Sequence, residues 1–197
     1  MRSVIVLASA LITAVVVAPT ARGAEGGPLT LTSAKVSIDG TSNIHAYNAS
    51  TTDVRVSTID IGGSPGEDGL AYVLQPGALK AFEVVVPAAS LKSDKGEIDK
   101  NMHKALKAQQ FAEIKFRLRS LEAVGGAYRG VGMLTIAGVE KEVVLNLQVE
   151  RKGPALAVTG GTDLLMTDYG IAPPKAMLGM LKTHPKVQIK IELLLGA

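Results

Sequence analysis

Three imidazoles, His45, His103 and His184, are the side chains of this sequence best suited to metal or acid–base chemistry. A metal centre needs several ligands converging on one point, usually announced by spacings such as H-x-x-x-H. These three stand far apart and none has a ligand-spaced partner, so no metal site is expected. Ser90, Asp94 and His103 can be written down as a hydrolytic triad, but no G-x-S-x-G elbow accompanies the serine and no catalytic residue is expected. A hydrolase or isomerase acting on an apolar substrate is the most distant of the functions considered. His45, close to Tyr47, reads as a hydrogen-bonding group at a barrel end, His103 as a residue on the exposed or rim face of a helix, and His184, before Pro185, as a loop residue. Asp168, before Tyr169-Gly170, reads as a turn cap or the partner of a nearby base rather than an acid–base group. The pairs Gly125-Gly126 and Gly160-Gly161 suit turns or bulges rather than a phosphate loop. What remains is a large set of Val, Leu, Ile and Phe residues in alternating positions, whose chemistry is the removal of hydrocarbon from water.

The elements that must position these residues begin after an N-terminal leader. Arg2 is followed by an uncharged apolar run over 4–18, then Pro19 and the small-residue sequence Ala21-Arg22-Gly23. This order predicts a signal peptide over 1–23, cut after Gly23 or Ala24, with export to the periplasm or beyond. The run is shorter than the roughly 20 residues a membrane span needs, so no stable membrane anchor is expected. Without a cysteine anywhere in the chain, neither a lipoprotein anchor nor a disulfide is expected. Residues 24–197 make one ordinary domain by length. Losing Arg2 and Arg22 lowers the basic count from 21 to 19, against 18 acidic residues. That near-neutral balance, with no basic run, argues against nucleic acid as a partner.

Period-two alternation dominates from residue 29 onward. Val36 and Ile38, Val54 and Val56, the series Phe82, Val84 and Val86, and the series Ile114, Phe116 and Leu118 each alternate with polar residues. So do Val143, Leu145, Leu147 and Val149, and later Val187, Ile189, Ile191 and Leu193. Weaker strands fit 42–48, 127–137 and 155–162. Many strands at short spacing, separated by turns such as Gly125-Gly126 and Ala137-Gly138, predict an all-β antiparallel barrel or sandwich. Two stretches depart from the alternation. Residues 96–108 place Ile98, Met102, Ala105 and Leu106 on one helical face, and 173–183 reads as a short helix opened by two prolines. Residues 62–79 read as a mobile Gly/Pro-rich loop with a short strand near 71–74.

Several of these segments resemble one family. VVVPAASLK at 84–92 and DKNMHKALKAQQFAEIKF at 99–116 are similar to its strand, serine turn and helix leading into a further strand. The hairpin YRGVGMLTIAGVEKEVVL at 128–145 is the most specific part of the likeness. TDYGI at 167–171 and the closing strand VQIKIELLL complete the order. The chain is identified by these motifs as resembling the YceI-like family of periplasmic polyisoprenoid-binding proteins. It departs from the family in lacking the early Trp, and its Gly40-Thr41-Ser42-Asn43-Ile44-His45 resembles a divergent branch.

The resemblance implies an eight-stranded antiparallel lipocalin-like barrel with one or two short helices and an elongated apolar tunnel. It further implies a bound isoprenoid lipid of polyprenyl or quinone type as the partner, with no other cofactor. Strand parity then nominates the tunnel lining: Val36 on the first strand, Val84 and Val86, Ile114 and Phe116, Leu134 and Ile136, then Val143, Leu145 and Leu147, and finally Ile189 and Ile191. Met177, Met180 and Leu181, with Leu178, form either a lid or a packed plug. The expected function is that of a periplasmic carrier, not an enzyme. The alternative is an envelope interaction or stress module whose interior is filled. The oligomeric state is left open, a dimer being one option.

Overall fold

Alternating apolar residues on strands longer than their polar turns leave one face of every strand to be buried, and a single curled sheet satisfies all of them. The computed structural model describes residues 29–63, 68–176 and 180–196; the expected leader over 1–23 and the lid residues Met177 and Leu178 lie outside these. The strands are β1 (Thr30–Ser42), β2 (Ala46–Thr51), β3 (Arg55–Ile61), β4 (Leu79–Pro87), β5 (Glu113–Val124), β6 (Ala127–Ile136), β7 (Val139–Lys152), β8 (Ala155–Leu165), β9 (Lys175–Ala176) and β10 (Leu181–Gly196). Two helices interrupt them, α1 (Gly69–Val73) and α2 (Gly96–Ala105).

The sheet runs β2-β1-β10-β8-β7-β6-β5-β4-β3, with β9 pairing β10 off this path. Its two ends are consecutive in the chain, joined through residues 52–54, where the Asp53 N–H donates to Thr51 Oγ1 at 3.0 Å. β2 and β3 are therefore two halves of one interrupted stave, pairing β1 on one side and β4 on the other. Counted so, the lipocalin-like arrangement has the eight expected staves, curled around one interior.

Register carries the inward face continuously around the sheet. Val36 stands opposite Ile191, Ile191 opposite Gly160, and Gly160 opposite Leu147. On the other side Val84 stands opposite Phe116 and Phe116 opposite Leu134. The opposite parity carries charge, as in the ion pairs Lys190–Asp39 at 2.7 Å and Arg117–Glu140 at 3.2 Å. Hydrogen bonds from Lys190, then Asn48, hold the Asp39 carboxyl below its usual range. The β5–β6 hairpin turns at Gly125-Gly126, where φ of 58° and 83° needs residues free of a Cβ.

Two expectations are corrected. The stretch 173–183 does not form a helix across its described residues: Lys175 and Ala176 pair antiparallel with Lys182 and Leu181. Its Met and Leu spacing imitates a helical face, but the pairing of β10 with β1 extends to Thr183, and the described residues on either side, 175–176 and 181–183, are strand. The second helix instead lies in the Gly/Pro-rich excursion. Asp68 accepts from the Ala71 N–H at 3.1 Å, a side-chain cap that starts α1, and burial of Leu70 and Val73 holds it.

Candidate functional site

The inward face of the sheet encloses a cavity of about 700 Å³, within the range of roughly 300–1,000 Å³ found for small-molecule sites. Hydrocarbon dominates its wall. All of the nominated lining residues face it except Val143. Val143 belongs instead to the packed cluster with Leu134, Ile136 and Leu164. Its register partner is Gly132, and a Cβ on Gly132 would sit 2.5 Å from the Phe116 ring. The ring lies over that glycine and fills the room next to Val143, so this stretch of wall is packed although its parity is inward.

Residues that the sequence reading left out of the lining complete it. Ile98, Met102, Ala105 and Leu106 present the apolar face of α2 to the cavity, and Val73 and Leu74 do the same at α1. The α2 signal was present in the helical periodicity, but parity arguments apply only to strands. The start of α2 is secured by Asp99, whose Oδ1 accepts from the Ser93 N–H at 2.6 Å and from Ser93 Oγ at 2.8 Å. These bonds hold the Asp99 carboxyl below its ordinary range.

The exposed polar residues of the lining gather at one end. They come from the β1–β2 turn (His45), the approach to α2 and its outer face (Lys95, Glu97, Asn101), and the β9–β10 hairpin (Lys175). Tyr47 lies at the same mouth, its ring against Gly40, where any Cβ would come within 2.2 Å. Burial pushes the Tyr47 hydroxyl up from its ordinary value. Leu181, one of the nominated lid residues, lines this mouth; Met180 does not and is 65% exposed. The two hairpins are tied together by Asn43. Its side chain donates to the Met180 carbonyl at 2.9 Å and accepts from the Lys182 N–H at 2.8 Å.

The paper triad is not assembled. Ser90 Oγ donates to the Pro87 carbonyl at 2.7 Å and accepts from Thr51 Oγ1 at 2.9 Å. His103 Nε2 lies 2.8 Å from the Leu91 carbonyl oxygen. Instead of standing free at the rim, His103 is half-buried and anchors α2 to the segment after β4. Among the described residues, no cluster of three or more His, Cys, Asp or Glu could hold a metal ion. Also among these residues, no helix is long and apolar enough to cross a membrane.

A curled antiparallel sheet, staved as eight, around an apolar cavity closed by short helices defines a lipocalin-like architecture. Solved structures share it. BcnA of Burkholderia cenocepacia superposes with a TM-score of 0.65 at 14% identity, covering 83% of this chain and 96% of that one. A polyisoprenoid-binding domain from Saccharophagus degradans gives 0.62 at 12% identity, with 86% and 98% covered. The YCEI protein of Campylobacter jejuni gives 0.57 at 17% identity, with 74% and 82% covered. No curated protein sequence matches significantly. The sequence profile of the YceI-like domain matches residues 27–195, and the chain belongs to that family.

Proposed function

We propose that this protein is an exported carrier that holds a lipid with a long isoprenoid chain in the cavity. The observation that carries the reading is the cavity itself: about 700 Å³ walled mostly by hydrocarbon, with its exposed polar residues at one mouth. An apolar chain entering it gains about 25 cal/mol for each Å² removed from water, and no positioned polar group is needed for that gain. The name of the Saccharophagus degradans domain, polyisoprenoid binding, supports the class of ligand. A polyprenyl or quinone-type lipid is the finer proposal. Binding without turnover fits the dispersal of Ser90 and His103 into structural hydrogen bonds. A module with a filled interior is disfavoured by the volume of the cavity.

Two measurements test this. Organic extraction of the purified protein followed by mass spectrometry is expected to release a prenyl lipid in near-stoichiometric amount. An extract without one, together with failure to take up added prenyl lipid, overturns the carrier reading. Intact-mass analysis of the chain produced with its leader is expected to show an N-terminus at Ala24 or Glu25. A cytoplasmic product still carrying residues 1–23 overturns the export reading.

A further inference from the structure

The lip of the mouth, where the β1–β2 turn meets the start of β10, carries two features that the cavity itself does not use. The first is exposed hydrocarbon. Ile44 is 61% exposed and Met180 65%, and neither lines the cavity. Single exposed apolar residues are ordinary, but these two stand on adjoining segments tied by Asn43. The turn that presents Ile44 is fixed by Ser42, whose Oγ accepts from the Ile44 and His45 N–H groups at 3.2 and 3.1 Å and donates to the His45 carbonyl at 2.9 Å. The second feature is charge. Lys175 on β9 stands directly opposite Lys182 on β10. Both are exposed, and neither makes an ion pair among the described residues. Like charges facing each other across a ladder repel, so a nearby anion would relieve this pair. The nearest acidic groups in the fold, Asp94 and Glu97, belong to the α2 side of the mouth, with Lys95 between them in the chain, and Asp168 belongs to the turn after β8.

Building on the carrier reading above, we propose that this lip docks reversibly on an anionic phospholipid bilayer. Ile44 and Met180 enter the interfacial layer, and Lys175 and Lys182 face the phosphates. The mouth then opens onto the membrane, and a prenyl chain passes between bilayer and cavity without crossing water. Two apolar side chains and two lysines cover far less than the roughly 1,000 Å² that a stable protein interface needs. A bilayer asks only for shallow insertion beside basic residues. Each lysine near an anionic surface is worth about fivefold in affinity, and each apolar side chain taken out of water about tenfold. The sum is a contact that forms and releases.

The chain has no tryptophan, so one introduced by substitution is a sole reporter. Ile44→Trp and Met180→Trp place it on the lip. Val124→Trp places it at another exposed apolar position, in the β5–β6 hairpin at the α1 end. Vesicles of phosphatidylethanolamine and phosphatidylglycerol, free of prenyl lipid, are expected to shift the emission of the first two to shorter wavelength and to leave that of the third unchanged. The parent chain is expected to float with these vesicles and much less with phosphatidylcholine vesicles. Lys175→Gln with Lys182→Gln should weaken flotation by more than tenfold, and Ile44→Ser with Met180→Ser by about as much. The serine pair should still take up prenyl lipid from detergent micelles as the parent does, since neither residue lines the cavity. No shift at 44 and 180, equal shifts at all three positions, or equal flotation with both kinds of vesicle overturns the docking. Self-association that the serine pair abolishes, without flotation, assigns the lip to a second copy and overturns it too. A parent chain that takes up prenyl lipid but does not float overturns the docking and leaves the carrier reading intact; one that does neither overturns both.

Discussion

The two ends of the interior are both closed by short helices, yet they differ in chemistry. At the α1 end the buried cluster is entirely hydrocarbon, with Leu70 and Val73 meeting Leu147, Leu156 and Leu195. The α2 end adds a phenol to a similar cluster and opens onto a mouth edged by His45, Tyr47, Lys95 and Lys175. A uniform apolar lining would hold a chain in any position along its length. A lipid of the proposed kind is therefore expected to lie with its chain toward α1 and its polar end toward the mouth at α2.

The contrast breaks most severely if the α1 closure is lost. Leu70 is 3% exposed and packs into the cluster without lining the cavity. Leu70→Ala is expected to cost about 2–5 kcal/mol, read from urea unfolding of lipid-free protein. A loss well under about 1 kcal/mol would show that α1 is a loose flap and that this end is open.

Next in size is a contrast within the wall. Val143 is packed, so Val143→Trp is expected to overpack and destabilise by about 1–3 kcal/mol or more. Val84 is half-buried and faces the cavity. Val84→Trp is expected to leave lipid-free stability nearly unchanged and to reduce prenyl-lipid uptake severalfold. Equal stability losses at the two positions would mean that the interior is filled.

This pair of residues also marks how far sequence reasoning reaches. Pleating makes parity legible, because charges such as Lys115, Arg117 and Arg119 can occupy only the solvent face of β5. Parity therefore found the inward set on β4, β5, β6, β7 and β10. It names a face, not a depth, and depth at Val143 depends on Gly132 across the ladder and on a ring from the next strand. The same limit applies to α1, whose stability comes from burial of Leu70 and Val73 rather than from helix propensity in a Gly/Pro-rich stretch. It applies to β9 as well, where pairing with β10 outweighed a helical Met and Leu spacing. Tyr169 read only as the neighbour of a turn-capping aspartate, because a buried hydroxyl without a partner among the described residues is a property of three-dimensional surroundings.

Alkali probes the polar end at a smaller magnitude. In the unfolded chain Tyr169 loses its proton near the ordinary value of 10.0, and in the native chain, where burial and then the Asp168 carboxylate raise it, near 12. Between these values the native state binds the additional proton, so stability falls as pH rises through that window and is fully present below it. At about 1.4 kcal/mol per unit, reduced by structural relaxation, the expected loss is roughly 1–2 kcal/mol. It is measured as the shift in urea midpoint between about pH 9 and about pH 11.5. Tyr47, also raised by burial, contributes in the same direction, so Tyr169→Phe should diminish the loss without abolishing it. An identical alkaline loss in that variant would place the sensitivity elsewhere.

The smallest equilibrium effect is expected at the mouth, where the consequence is kinetic. Asn43 joins the β1–β2 turn to the start of β10 through side-chain bonds to the Met180 carbonyl and the Lys182 N–H, beside a backbone bond from its own N–H to the Lys182 carbonyl at 3.1 Å. Both side-chain bonds are solvent-exposed, so Asn43→Ala exchanges them largely for bonds to water and should lower unfolding stability by only about 0.5–1 kcal/mol. The two segments flank the route between cavity and solvent, with Leu181 on the cavity side and Ile44 and Met180 exposed outside. Held only by the backbone bond, they should separate more often, and on the carrier reading each separation widens the polar-rimmed end. Loading and release should therefore both quicken by a similar factor, leaving the dissociation constant nearly unchanged, because Asn43 itself does not line the cavity. Stopped-flow transfer of a fluorescent prenyl lipid to acceptor vesicles measures the release rate directly. Unchanged release in Asn43→Ala would show that the ligand does not pass between these hairpins, and the search for its route would move to the α1 end.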